Sequence, residues 1–112
     1  MRIVTRKQFM KLPIGTVFSY YEPCVFRDLL IKVSDDKQWP TDFLYDDLIG
    51  AVKNKGSDDF SEKCRRMELG ESLPVDFEYT GREGLFEDEQ LFAVYEKDDV
   101  EQLIKRLQNT LL

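Results

Sequence analysis

Hydrophobic and polar positions change period several times along the chain, and each change marks an element. Thr5 followed by Gln8 has the form of a capping box, which predicts a short helix burying Phe9, Met10 and Leu12 and stopped by Pro13 and Gly15. Residues 16–21 are rich in β-branched and aromatic side chains and predict a strand, broken at Glu22 and Pro23. Residues 25–33 supply a second strand, most securely from Leu29 to Val33. Residues 35–40 are turn material, and 42–46 return as a third strand. Ile49 to Gly56 is ambiguous and fits a strand end followed by a loop at residues 53–56. Ser57 then predicts an N-cap, with Asp58 and Asp59 in the first turn, Phe60, Cys64 and Met67 on an apolar stripe, and Gly70 just past the end.

The last third has the clearest periods. From Leu73 to Thr80 the pattern alternates, placing Leu73, Val75, Phe77 and Tyr79 on an inward face and Asp76 and Glu78 outward. Gly81 to Gly84 predicts a turn. Residues 91–95 are apolar on both faces, which suits a central strand. Asp98 to Glu101 resembles a helix start, and Val100, Leu103, Ile104, Leu107 and Leu111 follow at helical spacing. That stripe predicts a terminal helix that anchors the core. Together these elements predict one α+β domain over residues 1–112. Its expected form is a five-stranded, mainly antiparallel sheet with about three helices, in the order α-β-β-β-α-β-β-α, the helices mainly on one face.

Composition supports a folded domain. The chain has 112 residues, 42% hydrophobic, with eight Phe, five Tyr and one Trp to build a core. No apolar run approaches the roughly 20 residues of a membrane span, and no signal peptide opens the chain, so a cytoplasmic protein is expected. Its two cysteines, Cys24 and Cys64, are expected to be reduced and mostly buried. With no histidine and only two sulfurs, the chain lacks the ligands of a structural zinc site.

Charge changes the picture more. The net charge of −6 is unevenly distributed. The opening run holds Arg2, Arg6, Lys7 and Lys11 with no acid, whereas residues 83–101 hold eight acids against Lys97 alone. The acids at 58–59 and 98–99 suit helix starts, and Asp76 and Glu78 suit the wet face of a strand. What stands out is Glu83, Glu87, Asp88 and Glu89 around one turn, with Asp46 and Asp47 as a second group. Acids spread in this way attract a basic surface and can imitate a row of phosphates. A pI near 4.7 argues against direct nucleic-acid binding.

Chemistry of other kinds has little support. Cys24 has no histidine base, and no Gly-rich phosphate loop, nucleophile elbow or dinucleotide fingerprint occurs. Asp42, Asp46 and Asp47 could gather a hard cation, but their spacing does not match a calcium loop. No resident metal or cofactor is therefore expected.

The opening residues 1–9, then Leu12 to Thr16, Phe18 to Cys24 and Leu29 to Lys32, resemble small uncharacterised proteins encoded by bacteriophages and prophages. The likeness continues through Asp42 to Leu48, Gly84 to Phe86 and the terminal helix. It brings no catalytic residue to carry over. The short length and acidic balance also fit phage-encoded inhibitors of host proteins, so the leading expectation is a non-enzymatic phage accessory protein that binds and modulates or inhibits a host protein or immune complex in the host cytoplasm. The partner would carry a basic surface and meet Glu83, Glu87, Asp88 and Glu89, with Phe86, Phe92 or Trp39 as aromatic anchors. A monomer or a homodimer fits this role. The second reading is a module that holds an anionic metabolite or nucleotide on Arg2, Arg6 and Lys7. A metal-dependent hydrolase is third.

Overall fold

The computed structural model describes residues 1–36, 38, 42–85 and 87–112. Its principal sheet has six strands, β1 (Arg2–Thr5), β2 (Val17–Glu22), β3 (Val25–Asp35), β4 (Phe43–Asp47), β7 (Tyr79–Arg82) and β8 (Leu91–Tyr95). They lie in the order β1-β8-β2-β3-β4-β7, and every neighbouring pair is antiparallel. A small second sheet pairs β5 (Ala51–Val52) with β6 (Val75–Asp76). Three helices complete the chain: α1 (Arg6–Met10), α2 (Ser57–Glu68) and α3 (Lys97–Gln108), the last continued by a 3-10 turn at Asn109–Leu111. The domain is thus α+β with three helices, and the sheet has six strands where five are predicted.

The sixth strand is β1. Its four residues are too short to show a period, and the capping box at Thr5 draws attention to the helix that follows. Thr5 does cap α1: its hydroxyl accepts the Gln8 amide at 3.2 Å, and the Gln8 side chain accepts the Thr5 amide at 2.9 Å. Strand β1 pairs with β8 and places Val4 in the core.

The predicted strand from Leu73 to Thr80 is divided between the two sheets. The Asp76 carboxylate accepts the Glu78 amide at 2.9 Å, a local bond that competes with a strand ladder and bends the chain. On either side of the bend, Val75, Phe77 and Tyr79 are exposed, against the inward face predicted for them. Gly81 and Arg82, read as turn residues, continue β7. A Cβ at Gly81 would lie 2.9 Å from the Tyr45 ring, so glycine there lets that ring lie across an edge strand.

The core lies between α1 and one sheet face. Phe9, fully buried, stacks on Phe92 at 4.4 Å between ring centroids and meets Phe18 at 4.6 Å and Phe43 at 4.8 Å. Leu30, Val4 and Val94 complete this cluster. Lys32 is also fully buried on this face. Its Nζ donates to the carbonyls of Leu12 at 2.9 Å and Met10 at 3.2 Å, pairs with Asp35 at 2.9 Å and lies 5.4 Å from the centre of the Phe9 ring. A cation at these carbonyls satisfies acceptors left open where the short helix ends.

The helices are not gathered on one face. Strand residues alternate sides, so Val17, Leu29 and Tyr95, beside the start of α3, lie opposite Phe18, Leu30 and Val94. Helix α3 is capped two residues before Asp98, by Glu96, with Asp99 completing a capping box. Its stripe is not a core anchor: Leu103, Ile104, Leu107 and Leu111 are 37, 49, 56 and 86% exposed. Helix α2 also buries no residue, although Gly70 ends it as predicted, with the Gly70 and Glu71 amides donating to Met67 and Arg66. The radius of gyration, 16.1 Å, exceeds the roughly 13 Å of a compact chain this long.

Removing the Lys32 charge tests this clamp. Lys32→Met keeps the apolar stem but loses the charge-assisted bonds. It is expected to lower stability by about 1.5–3 kcal/mol in urea unfolding.

Candidate functional site

The residues marked by charge separate into an interior set and an exterior set. Arg6 leaves the first turn of α1 toward the end of β7 and is 3% exposed. There its guanidinium Nη2 donates to Glu83 Oε2 at 2.5 Å, and the Glu83 side chain is fully enclosed. The hydrogen bond to Glu83 raises the Arg6 pKa, against the opposing effect of burial. One predicted ligand-binding cation and one predicted partner-binding acid thus neutralise each other inside the fold, and neither is offered to a partner.

Asp42 extends the interior set. It is fully buried, and its carboxylate accepts the Phe43 and Gly84 amides at 2.9 Å each and a bond from Arg82. Burial raises its pKa, but these backbone bonds and the Arg82 guanidinium more than compensate and hold it below the usual aspartate value. Asp46 accepts from the Thr80 hydroxyl, and Asp47 accepts the Ile49 amide at 3.1 Å. The three aspartates weighed for a cation therefore each hold a different piece of backbone or side chain. Among the described residues, no group of three or more potential ligands is placed to bind a metal ion.

Arg2 and Lys7 do not join Arg6. Arg2 pairs with Glu96 at 2.9 Å on β1, and Lys7 is exposed on α1. The three cations meant to hold an anion do not share a surface.

Glu87, Asp88 and Glu89 form the exterior set. All three are exposed, and among the described residues their side chains make no hydrogen bond or ion pair. Both flanks of their segment are fastened. The Glu83 amide donates to the Phe43 carbonyl at 3.1 Å and the Gly84 amide to Asp42. On the other side, Gln90 donates through its side chain to the carbonyls of Tyr21 at 3.2 Å and Leu91 at 2.8 Å. The Gln90 amide closes a turn onto the Glu87 carbonyl at 3.1 Å. The acids are presented on fixed supports.

Beside them is the tip of the β2–β3 hairpin. Tyr21, Glu22 and Pro23 line a shallow hollow of about 190 Å³ together with Glu87, Glu89 and Gln90. The Phe26 ring packs on Tyr21 at 5.3 Å, and Val25 and Phe26 are each 48% exposed. Sequence reasoning missed these two, because residues 25 and 26 read only as the start of a strand. Their signal is the position after a Pro23-Cys24 turn, where the chain reverses at the end of the two central strands. Of the three predicted anchors, Phe92 is buried in the core, and Phe86 and Trp39 lie outside the described residues. Cys24, expected to be buried, is exposed at the tip with φ 67, and Cys64 is partly buried; both are free thiols.

Comparison with protein-family models, curated proteins and solved structures finds no match to this chain.

Two outcomes test the interior set. Glu83→Ala leaves a buried guanidinium without its carboxylate and is expected to cost about 3–5 kcal/mol, whereas the double change Arg6→Met, Glu83→Leu recovers most of that loss. Asp42 has a depressed folded pKa, so its contribution is complete above the unfolded value, about pH 4, and is lost as pH falls through the lower folded value. Stability of Asp42→Asn, followed by denaturation across that range, is expected to change less with pH than that of the parent protein.

Proposed function

We propose that this protein is a non-enzymatic accessory protein, of the kind bacteriophages encode, that binds a basic surface of a host protein and modulates it. The observation that carries this reading is the exposed triplet Glu87, Asp88 and Glu89, whose side chains make no hydrogen bond or ion pair among the described residues. Most other acids nearby are occupied: Glu83 by Arg6, Asp42 by Arg82, and Glu22 by Arg27. Acids that lack internal partners keep their field for a partner molecule.

The surroundings support a protein partner. Apolar area from Val25 and Phe26 lies at the hairpin tip, with carboxylates around the adjoining hollow. Interfaces take much of their binding energy from a few such anchors, and charge around them sets orientation and association rate. An arginine or lysine of the partner can meet a carboxylate while its stem or cation lies on the Tyr21–Phe26 pair. The dispersal of Arg2, Arg6 and Lys7 weighs against the anionic-ligand reading. The local hydrogen bonds of Asp42, Asp46 and Asp47 weigh against a hydrolase.

The test is capture from a bacterial host lysate on immobilised protein at low and high salt, with mass spectrometry of the eluate. A partner with a basic surface is expected to be retained at low salt and released at high salt. It should be lost when Glu87, Asp88 and Glu89 are all changed to Lys, and weakened at least tenfold by Phe26→Ala. Equal retention by the triple variant, with its fold intact by circular dichroism, contradicts the proposal.

A further inference from the structure

Helix α3 combines an open apolar stripe with a charge order that complements its own reverse. Leu103, Ile104 and Leu107 lie on the same side, each more than a third exposed, and Leu111 and Leu112 beyond them are 86 and 103% exposed. Asp98, Asp99 and Glu101, with Lys97 among them, leave the first half of the helix net negative, Asp99 being paired with the Met1 ammonium, and Lys105 and Arg106 make the second half positive. That gradient suits the helix dipole. It also suits a second copy of the helix running the opposite way, because each acidic half then lies beside a basic half. A parallel copy would set acid beside acid.

We infer that α3 pairs antiparallel with α3 of a second copy of this chain, in a two-fold dimer. With the axis between Leu103 and Ile104, Val100 faces Leu107 of the second copy, and Leu103 faces its Ile104. Side chains at these positions share a face, as the spacing of three and four residues requires. Glu101 then lies level with Lys105 and Arg106 of the second copy, within reach of their long stems. Leu111 of the second copy arrives level with Glu96. Beside that point a groove of about 400 Å³, lined by Met1, Val17, Leu29, Tyr95, Val100 and Leu103, opens between α3 and the sheet. The terminal leucines of the second copy fill it. This arrangement covers the apolar stripe. A two-fold interface needs only one self-complementary patch, which α3 supplies.

Light scattering after size-exclusion chromatography tests the dimer, together with sedimentation velocity over a concentration series. The expected mass is twice the 13.2 kDa of one chain, falling toward one chain on dilution. Ile104→Glu with Leu107→Glu is expected to weaken association at least a hundredfold, with an unchanged far-ultraviolet circular dichroism spectrum. A parent protein that is monomeric throughout the series, or a dimer indifferent to that double change, overturns the inference. A charge exchange tests whether these charges direct the pairing. Lys105→Glu with Arg106→Glu makes an all-acidic helix, and Asp98→Lys with Glu101→Lys makes its second half and exposed first turns basic. Each variant alone is expected to be monomeric, and an equimolar mixture is expected to form a heterodimer. Either variant dimerising alone as well as the parent does, or a mixture that stays monomeric, overturns the charge complementarity on which the pairing rests.

Discussion

Phe9, seated between the rings of Phe18, Phe43 and Phe92, is the contact on which the rest of the structure depends. It belongs to a helix of five residues, far shorter than a helix that holds together alone in water. Helix α1 therefore exists because the sheet holds it. Three residues do so by different means. Phe9 supplies apolar area at the centre, Lys32 ties the far end through the Met10 and Leu12 carbonyls, and Arg6 ties the near end to Glu83. In return, α1 closes one face of the sheet over its aromatic core. Strand β1 leads directly into the helix and pairs with β8, so the same docking also positions the sheet edge.

Two of those three ties are buried charges, and that decides how the acidic surface is read. A carboxylate enclosed with an arginine has already lost its water and spends its field on one partner. Glu83 is of this kind, and Asp42, itself buried, binds two backbone amides and the half-exposed Arg82; both hold the base of the segment that carries Glu87, Asp88 and Glu89. The outer acids are thus displayed by the inner ones. In the proposed function, stability and recognition fall to nearby residues with the same charge but opposite burial, so changes at Glu83 and at Glu87 would have different consequences.

The legibility of the fold follows from which forces act locally. The Thr5 capping box, the Gly70 helix end and the strands at 17–22, 25–35, 43–47 and 91–95 depend on neighbours in sequence, and their periods announce them. The division at Asp76 depends on one side chain taking one backbone amide, which an unbroken alternation conceals. The burial of Lys32, Arg6 and Glu83 depends on partners 20 to 77 residues away, and no local pattern signals it. The α3 stripe was visible, but a stripe shows only which side seeks cover. At the candidate site, Glu87, Asp88 and Glu89 could be read from charge alone. The hairpin residues Val25 and Phe26 could not, because their proximity to those acids arises from strand order.

Amide hydrogen exchange of the Lys11 and Leu12 amides, compared with those of β2 and β8, tests most directly whether α1 and the sheet are one unit. Both amides are bonded within the end of α1, to the Gln8 and Phe9 carbonyls at 3.1 and 3.0 Å. If Phe9, Lys32 and Arg6 dock the helix as described, both exchange only through global unfolding, at the free energy of the central strands. Exchange at the rate of a fraying helix end, while β2 and β8 stay protected, would contradict the account.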